Sequence, residues 1–217
     1  MTVTSDSVTQ LLGAHAGMQR VPSPKAEVFQ LRRFADPVLC ADLIALIERD
    51  RRPSTIADDN GDPAFRTSET CDLAADLPPV QAIEAMITQL SGIGPAYGEP
   101  LQGQRYDVGQ EFKPHTDYFD PDGRDFARFC SLSGQRNWTF MIYLNDVAAG
   151  GATRFKLLDK TFQPEAGKLL CWNNRLPDGP NGEAGSVNHT TLHHGMKVRK
   201  GVKYLITKWY REREWRG

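Results

Sequence analysis

Short extended runs, separated by turn residues, make up most of the chain beyond about residue 100. They occupy residues 101–108, 111–117, 138–144, 153–157, 168–172, 191–194 and 202–210. Strands this brief cannot bury a core singly, so many of them in succession have to pair into packed sheets. The spacing therefore predicts that this half of the chain folds as a β-sandwich or jelly roll.

Helical periodicity is confined to the first half of the chain. Asp36 and Pro37 occupy the favoured cap and first-turn positions of one helix, and apolar spacing predicts a second helix over residues 80–90. Residues 28–31 are typical of a strand, and residues 51–75 of a loop-rich connection. The expected fold is thus mostly β with bracing helices: a double-stranded β-helix (jelly roll) core with an N-terminal helical layer.

The length of 217 residues suits one domain with an appended segment. Residues 1–26 are polar and end in a Pro-Ser-Pro sequence, which is typical of a flexible arm or of a short packed helix. We therefore expect an N-terminal arm of unassigned role over residues 1–26. The main domain is expected over residues 27–217.

Composition disfavours several classes of protein. The net charge of −1 lacks the cationic field that unspecific nucleic-acid binding needs. No apolar run reaches the roughly 18 residues of a membrane helix, and the first residues lack the basic and apolar regions of a signal peptide. The four scattered cysteines form no C-x-x-C pair, so we expect buried thiols. A cytoplasmic protein without nucleic-acid or membrane partners is expected, and a homo-oligomer is left open.

The segment from Lys113 to Asp117 carries the most informative motif. Side chains alternate along a strand, so His115 and Asp117 project to the same side. A third neutral ligand would complete two histidines and one carboxylate, the set that holds non-haem Fe(II) and leaves coordination positions open. The later candidates for this ligand are His189, His193 and His194. Taken alone, H-x-D is also common as a polar pair on a strand, so both interpretations stay open.

Lys203 begins an apolar strand ten residues after His193. Alternation places it on one face with Leu205, Thr207 and Trp209. A lysine that faces a barrel interior needs an anion, because burial of an unpaired ammonium is costly. The alternation does not distinguish this arrangement from a lysine that faces solvent or pairs with an internal carboxylate.

Several further motifs accompany these residues in a fixed order. They are Arg66-Thr-Ser, residues 101–110, His115-Thr-Asp-Tyr-Phe, Tyr143-Leu-Asn-Asp-Val, Gly150-Gly-Ala-Thr-Arg-Phe, Pro164-Glu-Ala-Gly-Lys, Leu192-His-His-Gly, Gly201-Val-Lys-Tyr and Lys208-Trp. In this order, residues 28–212 resemble the catalytic domain of the prolyl 4-hydroxylase family of Fe(II)/2-oxoglutarate dioxygenases.

The resemblance implies that His115, Asp117 and His193 ligate iron. The family pattern H-x-G, with its ten-residue offset to a lysine, is met by His193, and His194 is the weaker rival. The same resemblance implies that Lys203 pairs with the distal carboxylate of 2-oxoglutarate. Other residues are similar to family positions around that pocket: Tyr106, Thr139, Tyr143 and Trp209.

Other positions resemble those near the substrate in the family. Arg66 and Gln135-Arg136 match positions at the substrate groove, and residues 120–134 match a loop that tends to cover the substrate. Surface salt bridges and a solvated connector are the respective alternative interpretations.

The function implied by the resemblance is hydroxylation of a prolyl residue in a peptide or protein. In this chemistry O2 and Fe(II) convert 2-oxoglutarate to succinate and CO2, and ascorbate is expected as the reductant that rescues oxidised iron. One alternative keeps the chemistry and changes the substrate to another residue or a free small molecule. Another alternative is a non-catalytic metal-binding interaction module.

Two further alternatives are disfavoured. Nucleic-acid dealkylases of related scaffold resemble a pattern with arginine at the position of Lys203. A zinc hydrolase would need a general-base motif, and nothing beside the three ligands resembles one.

Overall fold

The computed structural model describes residues 5–55, 62–124, 126–177, 179 and 185–217. The α-helices in this part of the chain are α1 (Ser5–Ala14), α2 (Pro37–Asp50), α3 (Pro78–Ser91) and α4 (Phe126–Cys130). Single turns of 3-10 helix lie at Pro95–Tyr97, Lys156–Leu158 and His189–Thr191. The helices described include none that is both long and apolar enough to cross a bilayer.

The strands follow in chain order and most are short. They are β1 (Gln19–Arg20), β2 (Val28–Leu31), β3 (Arg52–Pro53), β4 (Glu69–Leu73), β5 (Leu101–Tyr106), β6 (Phe112–His115), β7 (Arg136–Tyr143), β8 (Ala149–Gly150), β9 (Thr153–Phe155), β10 (Lys160–Phe162), β11 (Leu169–Asn173), β12 (His193–Gly195), β13 (Val198–Lys200) and β14 (Lys203–Arg211).

Two antiparallel sheets form the core of the molecule. The larger sheet has eight strands in the order β1-β2-β11-β7-β14-β5-β4-β3, and the smaller has four in the order β10-β9-β12-β6. β8 and β13 pair as a separate ribbon. This arrangement confirms the expected mostly β fold with a jelly-roll core.

Alternation along the strands gives the large sheet two buried faces. On β7, Phe140 and Ile142 belong to the core shared with helices α1–α3, whereas Met141 and Tyr143 belong to the core between the two sheets. The helices contribute Leu12, Leu43 and Ile83, among others, to the first of these cores. The N-terminal helical layer therefore packs on the outer face of the large sheet, whose inner face is turned towards the smaller sheet.

Within the expected N-terminal arm, Ser5–Ala14 form helix α1, which packs on the core. Val8 and Leu12 of α1 are fully buried, and Gln19 pairs with Gln30 where β1 joins the large sheet. The expected loop over residues 51–75 is wrong in part, because it contains β4, which pairs with β5 along its whole length. The polar side chains of Glu69 and Asp72 interrupt the apolar pattern that would otherwise predict this strand.

Candidate active site

Three potential metal ligands meet between the two sheets. His115 ends β6 and His193 begins β12, and these two residues pair directly across the antiparallel ladder. Asp117 follows β6 in a bend, with Oδ1 3.9 Å from Nε2 of each histidine. The ligand atoms of the three residues all lie within 4.8 Å of one another. The strand register thus brings together residues that are far apart in the sequence.

Hydrogen bonds turn each histidine towards the same point. Nδ1 of His115 contacts the carbonyl of Lys113 at 2.8 Å, and Nδ1 of His193 contacts the carbonyl of Thr191 at 3.0 Å. A carbonyl can only accept, so each Nδ1 carries the proton and each Nε2 keeps a lone pair for a metal. Burial, followed by the proximity of His193, lowers the pKa of His115 well below its usual value. The neutral, ligating form is therefore favoured.

The donor set fits a divalent iron. Two neutral imidazoles and one carboxylate on one side of a point form a facial triad, which leaves the opposite positions free. All three residues line one cavity between the sheets. His194, the rival ligand, points elsewhere: its Nε2 lies 2.9 Å from Oε2 of Glu111.

Lys203 lines the same cavity. Its side chain is buried, with Nζ 4.8 Å from the ring centre of Tyr106 and 5.7 Å from that of Tyr143. In the described part of the chain, no carboxylate forms an ion pair with it. Burial lowers the pKa of Lys203 to about 7. A single lysine in an aromatic pocket is thus ready to bind an anion.

The remaining residues predicted around the pocket are brought close to it. Tyr106 lines the cavity and donates its hydroxyl proton to Gln104 at 2.8 Å. Tyr143 lies behind Lys203 and donates to Oγ1 of Thr153 at 2.6 Å. Trp209 lines the cavity as well, on the side that faces a larger surface groove.

Thr139 contacts one of the three potential ligands. Its Oγ1 donates to Oδ2 of Asp117 at 2.7 Å. Neither Thr139 nor Tyr143 is among the residues that line the cavity, so their contact with a co-substrate stays a prediction.

A surface groove lies beside the three potential metal ligands. Its lining includes His115 and Asp117 and a set of aromatic side chains: Phe65, Phe112, Tyr118, Phe119, Trp209 and Trp215. Of the loop over residues 120–134, Asp120 lines this groove.

Arg66 and Arg136 both line the groove, as the sequence indicated. Arg66 donates to Oε1 of Gln102 at 2.9 Å. Arg136 binds Glu99 through two hydrogen bonds of 2.6 Å and stacks 4.0 Å from the ring of Trp209. Arg136 is thus held by a largely buried ion pair rather than by an exposed salt bridge.

Sequence reasoning missed several residues of the site. Phe112 stacks on the ring of His115 with 3.4 Å between ring centres, and Trp172 packs edge-on against His193 at 4.8 Å. Gln104 accepts from Tyr106 and donates to Oγ1 of Thr207 at 3.1 Å. Alternation along β5 would have placed Gln104 beside Tyr106, since the two are separated by one residue.

Comparison with known proteins identifies relatives. The sequence model of the 2OG-Fe(II) oxygenase superfamily matches residues 101–211, which contain the three potential ligands and Lys203. Prolyl 4-hydroxylase subunit alpha-1 of Gallus gallus is 31% identical over 150 residues, which are 69% of this chain and 28% of that protein. Probable prolyl 4-hydroxylase 10 of Arabidopsis thaliana is 29% identical, over 89% of this chain and 71% of that protein. This chain thus spans little more than a quarter of the animal relatives it matches.

The fold is shared with solved structures. The viral collagen prolyl hydroxylase of Paramecium Bursaria Chlorella virus-1, solved as a 2OG complex, superimposes with a TM-score of 0.65. The match covers 85% of this chain and 95% of that chain, at 22% sequence identity. At this identity, the likeness establishes the architecture alone.

Proposed function

This chain belongs to the 2OG-Fe(II) oxygenase superfamily, and we propose that it hydroxylates a prolyl residue in a peptide or protein. It is an enzyme of the 2-oxoglutarate-dependent dioxygenase type, with Fe(II) and 2-oxoglutarate as cofactor and co-substrate. Similarity to prolyl 4-hydroxylases supports the prolyl substrate. The proposal depends above all on one cavity, which is lined by the His-Asp-His cluster and by a buried lysine without a carboxylate partner among the described residues, and which shares its ligands with a surface groove.

His115, Asp117 and His193 would hold the iron, which supplies the O2 activation that hydroxylation requires. The protein's part is to aim both imidazoles and to fix the tautomer whose Nε2 faces the metal, which the two carbonyl contacts of Nδ1 achieve. One carboxylate and two neutral ligands leave a net positive charge at the bound metal. An anionic keto acid is attracted to such a centre.

Lys203 would pair with the distal carboxylate of 2-oxoglutarate. A charge-assisted hydrogen bond of this kind contributes about 1.5–3 kcal/mol, or roughly ten- to a hundredfold in affinity. The rings of Tyr106 and Tyr143 stabilise the ammonium and exclude water around it. With its distal carboxylate held by Lys203, 2-oxoglutarate would turn its keto-acid end towards His115, Asp117 and His193.

The groove would hold the polypeptide substrate. Its aromatic side chains, Trp209 and Trp215 among them, offer flat apolar surfaces to a pyrrolidine ring, and extended proline-rich segments bind to such surfaces. Arg66 and Arg136 add hydrogen-bond donors beside these rings. A residue seated there would lie next to His115 and Asp117, where the reacting C–H bond has to be.

The test is product analysis with Fe(II)-loaded protein. Succinate formation and the gain of one oxygen atom by mass spectrometry are measured with a panel of proline-containing peptides and a panel of free amino acids. The proposal predicts oxygen transfer to a prolyl residue in at least one peptide. Turnover of free amino acids alone, or of peptides at a residue other than proline, would contradict it.

Ascorbate, as the reductant that restores oxidised iron, is part of the same proposal. Its effect is measured as the number of turnovers before inactivation, with and without ascorbate. Equal numbers would remove ascorbate from the proposed reaction.

A further inference from the structure

Three consecutive hydrogen bonds connect Trp172 on β11 to the carboxylate of Asp117. Nε1 of Trp172 donates to Oδ1 of Asn174 at 3.0 Å, and Nδ2 of Asn174 donates to Oγ1 of Thr139 at 2.9 Å. Oγ1 of Thr139 then donates to Oδ2 of Asp117 at 2.7 Å. Thr139 and Asn174 have no exposed surface, and Trp172 has 1%. Solvent therefore does not compete for these bonds.

The chemistry of the groups fixes the direction of every bond. An indole nitrogen can only donate, so the amide oxygen of Asn174 has to face Trp172. The amide nitrogen of Asn174 then faces Thr139 and can only donate to it. The threonine hydroxyl has one proton, and Asp117 is left as its acceptor. The orientation of the Asn174 amide, which is often ambiguous, is thus determined by Trp172.

The chain of bonds selects one carboxylate oxygen for the metal. Oδ2 of Asp117 is engaged by Thr139, whereas Oδ1 lies 3.9 Å from Nε2 of both His115 and His193. The strand register supplies the alignment, because Trp172 pairs directly with Thr139 where β11 joins β7. The carboxylate is therefore presented to a metal through a single oxygen.

We propose that Trp172, Asn174 and Thr139 form a positioning relay that fixes Asp117 as a one-oxygen ligand and thereby sets the metal affinity of the site. The proposal rests on the proposed function, since it requires that the cluster binds a divalent metal. None of the three residues of the positioning relay is a ligand. They act on the metal only through Asp117.

The test compares two substitutions of Thr139. Thr139→Val removes the hydroxyl and keeps the branched shape, whereas Thr139→Ser keeps the donor and removes a methyl group. Affinity for Co(II), a spectroscopic substitute for Fe(II), is measured by titration of its visible absorption, with far-UV circular dichroism as the check on folding. We expect the valine variant to bind Co(II) about 10- to 100-fold more weakly and the serine variant to bind within about threefold of wild type.

Asn174→Asp provides a second test, because it reverses the relay without shortening a side chain. A carboxylate at this position accepts from Trp172 and from Thr139, so the threonine proton turns away from Asp117. We expect a loss of Co(II) affinity similar to that of Thr139→Val. The band shape should also change, because Asp117 is then free to offer both oxygens to the metal.

The outcomes separate the positioning relay from the proposed function. A folded Thr139→Val or Asn174→Asp protein that binds Co(II) as tightly as wild type, with the same spectrum, would overturn the relay and leave the metal centre intact. A wild-type protein that binds no Co(II) would refute the metal centre itself. Equal losses in the serine and valine variants would show that packing, and not the donated proton, is responsible.

Discussion

The two ends of the cavity are prepared in different ways. At the metal end, formed by His115, Asp117 and His193, each side chain has a protein partner that orients it. At the lysine end, Lys203 is surrounded by the rings of Tyr106 and Tyr143, and its ammonium has no carboxylate partner in the described residues. The protein thus supplies geometry at one end and, at the other, a buried lysine whose charged form is stabilised when it pairs with an anion.

The two ends favour binding for different physical reasons. Oriented ligands lower the cost of binding a metal, because little has to rearrange when the ion arrives. A buried, unpaired cation is costly in the free protein, and an anion that pairs with it relieves that cost. The metal end therefore selects by shape, and the lysine end selects by charge.

The largest effect is expected from loss of the carboxylate ligand. Asp117→Ala leaves two neutral imidazoles, which do not compensate the charge of a divalent ion, so Fe(II) binding and turnover should fall below detection. Co(II) titration and succinate formation measure the two effects. His189→Ala, in an exposed histidine, is the control and should behave as wild type. Normal metal binding by Asp117→Ala would refute the ligand assignment.

The next largest effect is expected at the lysine end. Lys203→Met keeps the length of the side chain and removes its charge, so the concentration of 2-oxoglutarate needed for half-saturation should rise roughly ten- to a hundredfold. This concentration is measured by anaerobic titration of the Fe(II)-loaded protein with 2-oxoglutarate, followed by the weak visible absorption of the Fe(II)–2-oxoglutarate chelate. Fe(II) affinity should stay within about threefold of wild type.

Lys200→Met, in an exposed lysine of β13, is the matched control for Lys203→Met. It should leave both affinities unchanged. An unchanged co-substrate affinity in Lys203→Met would show that another group binds the distal carboxylate. It would refute the claim that the lysine end binds the co-substrate through its charge.

A pH dependence is expected from the lowered pKa of Lys203, about 7 against an ordinary value of 10.5. Above pH 7 the folded, ligand-free protein holds a neutral lysine, whereas the unfolded chain holds a charged one up to its higher pKa. The unfolded state then binds more protons, so this residue makes the free energy of unfolding rise with pH between these two values. The Lys203→Met protein should lack this rise in urea titrations.

The affinity for 2-oxoglutarate should fall as pH rises, whereas the free energy of unfolding should rise. A dianion favours the ammonium, so each binding event above pH 7 takes up a proton, and affinity should fall by up to about tenfold per pH unit. Calorimetry at about pH 8, in buffers of different ionisation enthalpy, measures this uptake. About one proton is expected for wild type and about none for Lys203→Met. Absence of uptake in wild type would contradict the neutral lysine.

The smallest effect is expected from Tyr106→Phe. The ring that faces Lys203 is retained, and the lost hydroxyl donates to Gln104 rather than into the cavity. Affinity for 2-oxoglutarate should therefore stay within about threefold, while the free energy of unfolding falls by about 1 kcal/mol because a buried hydrogen bond is lost. A tenfold loss of co-substrate affinity would show that the hydroxyl binds the co-substrate directly.

Local patterns of sequence were enough for part of the molecule. The H-x-D motif, together with the family resemblance that selected His193 and Lys203, identified residues that the fold brings to one cavity. Alternation gives the face of a residue but not its depth or its partner, so neither the burial of Lys203 nor the contact of Thr139 with Asp117 could be decided. The contact between Asn174 and Thr139 depends on the register of β11 against β7, which no local pattern encodes.

The position of β14 has a consequence for biosynthesis. This strand lies between β7 and β5 in the middle of the large sheet, yet it follows both of them in the chain. While the ribosome is still making residues 203–211, β5 and β7 each present an unpaired edge, and the wall that carries Lys203 does not exist. The sheet therefore closes only after this strand has emerged, and until then both edges remain open to pairing with other strands.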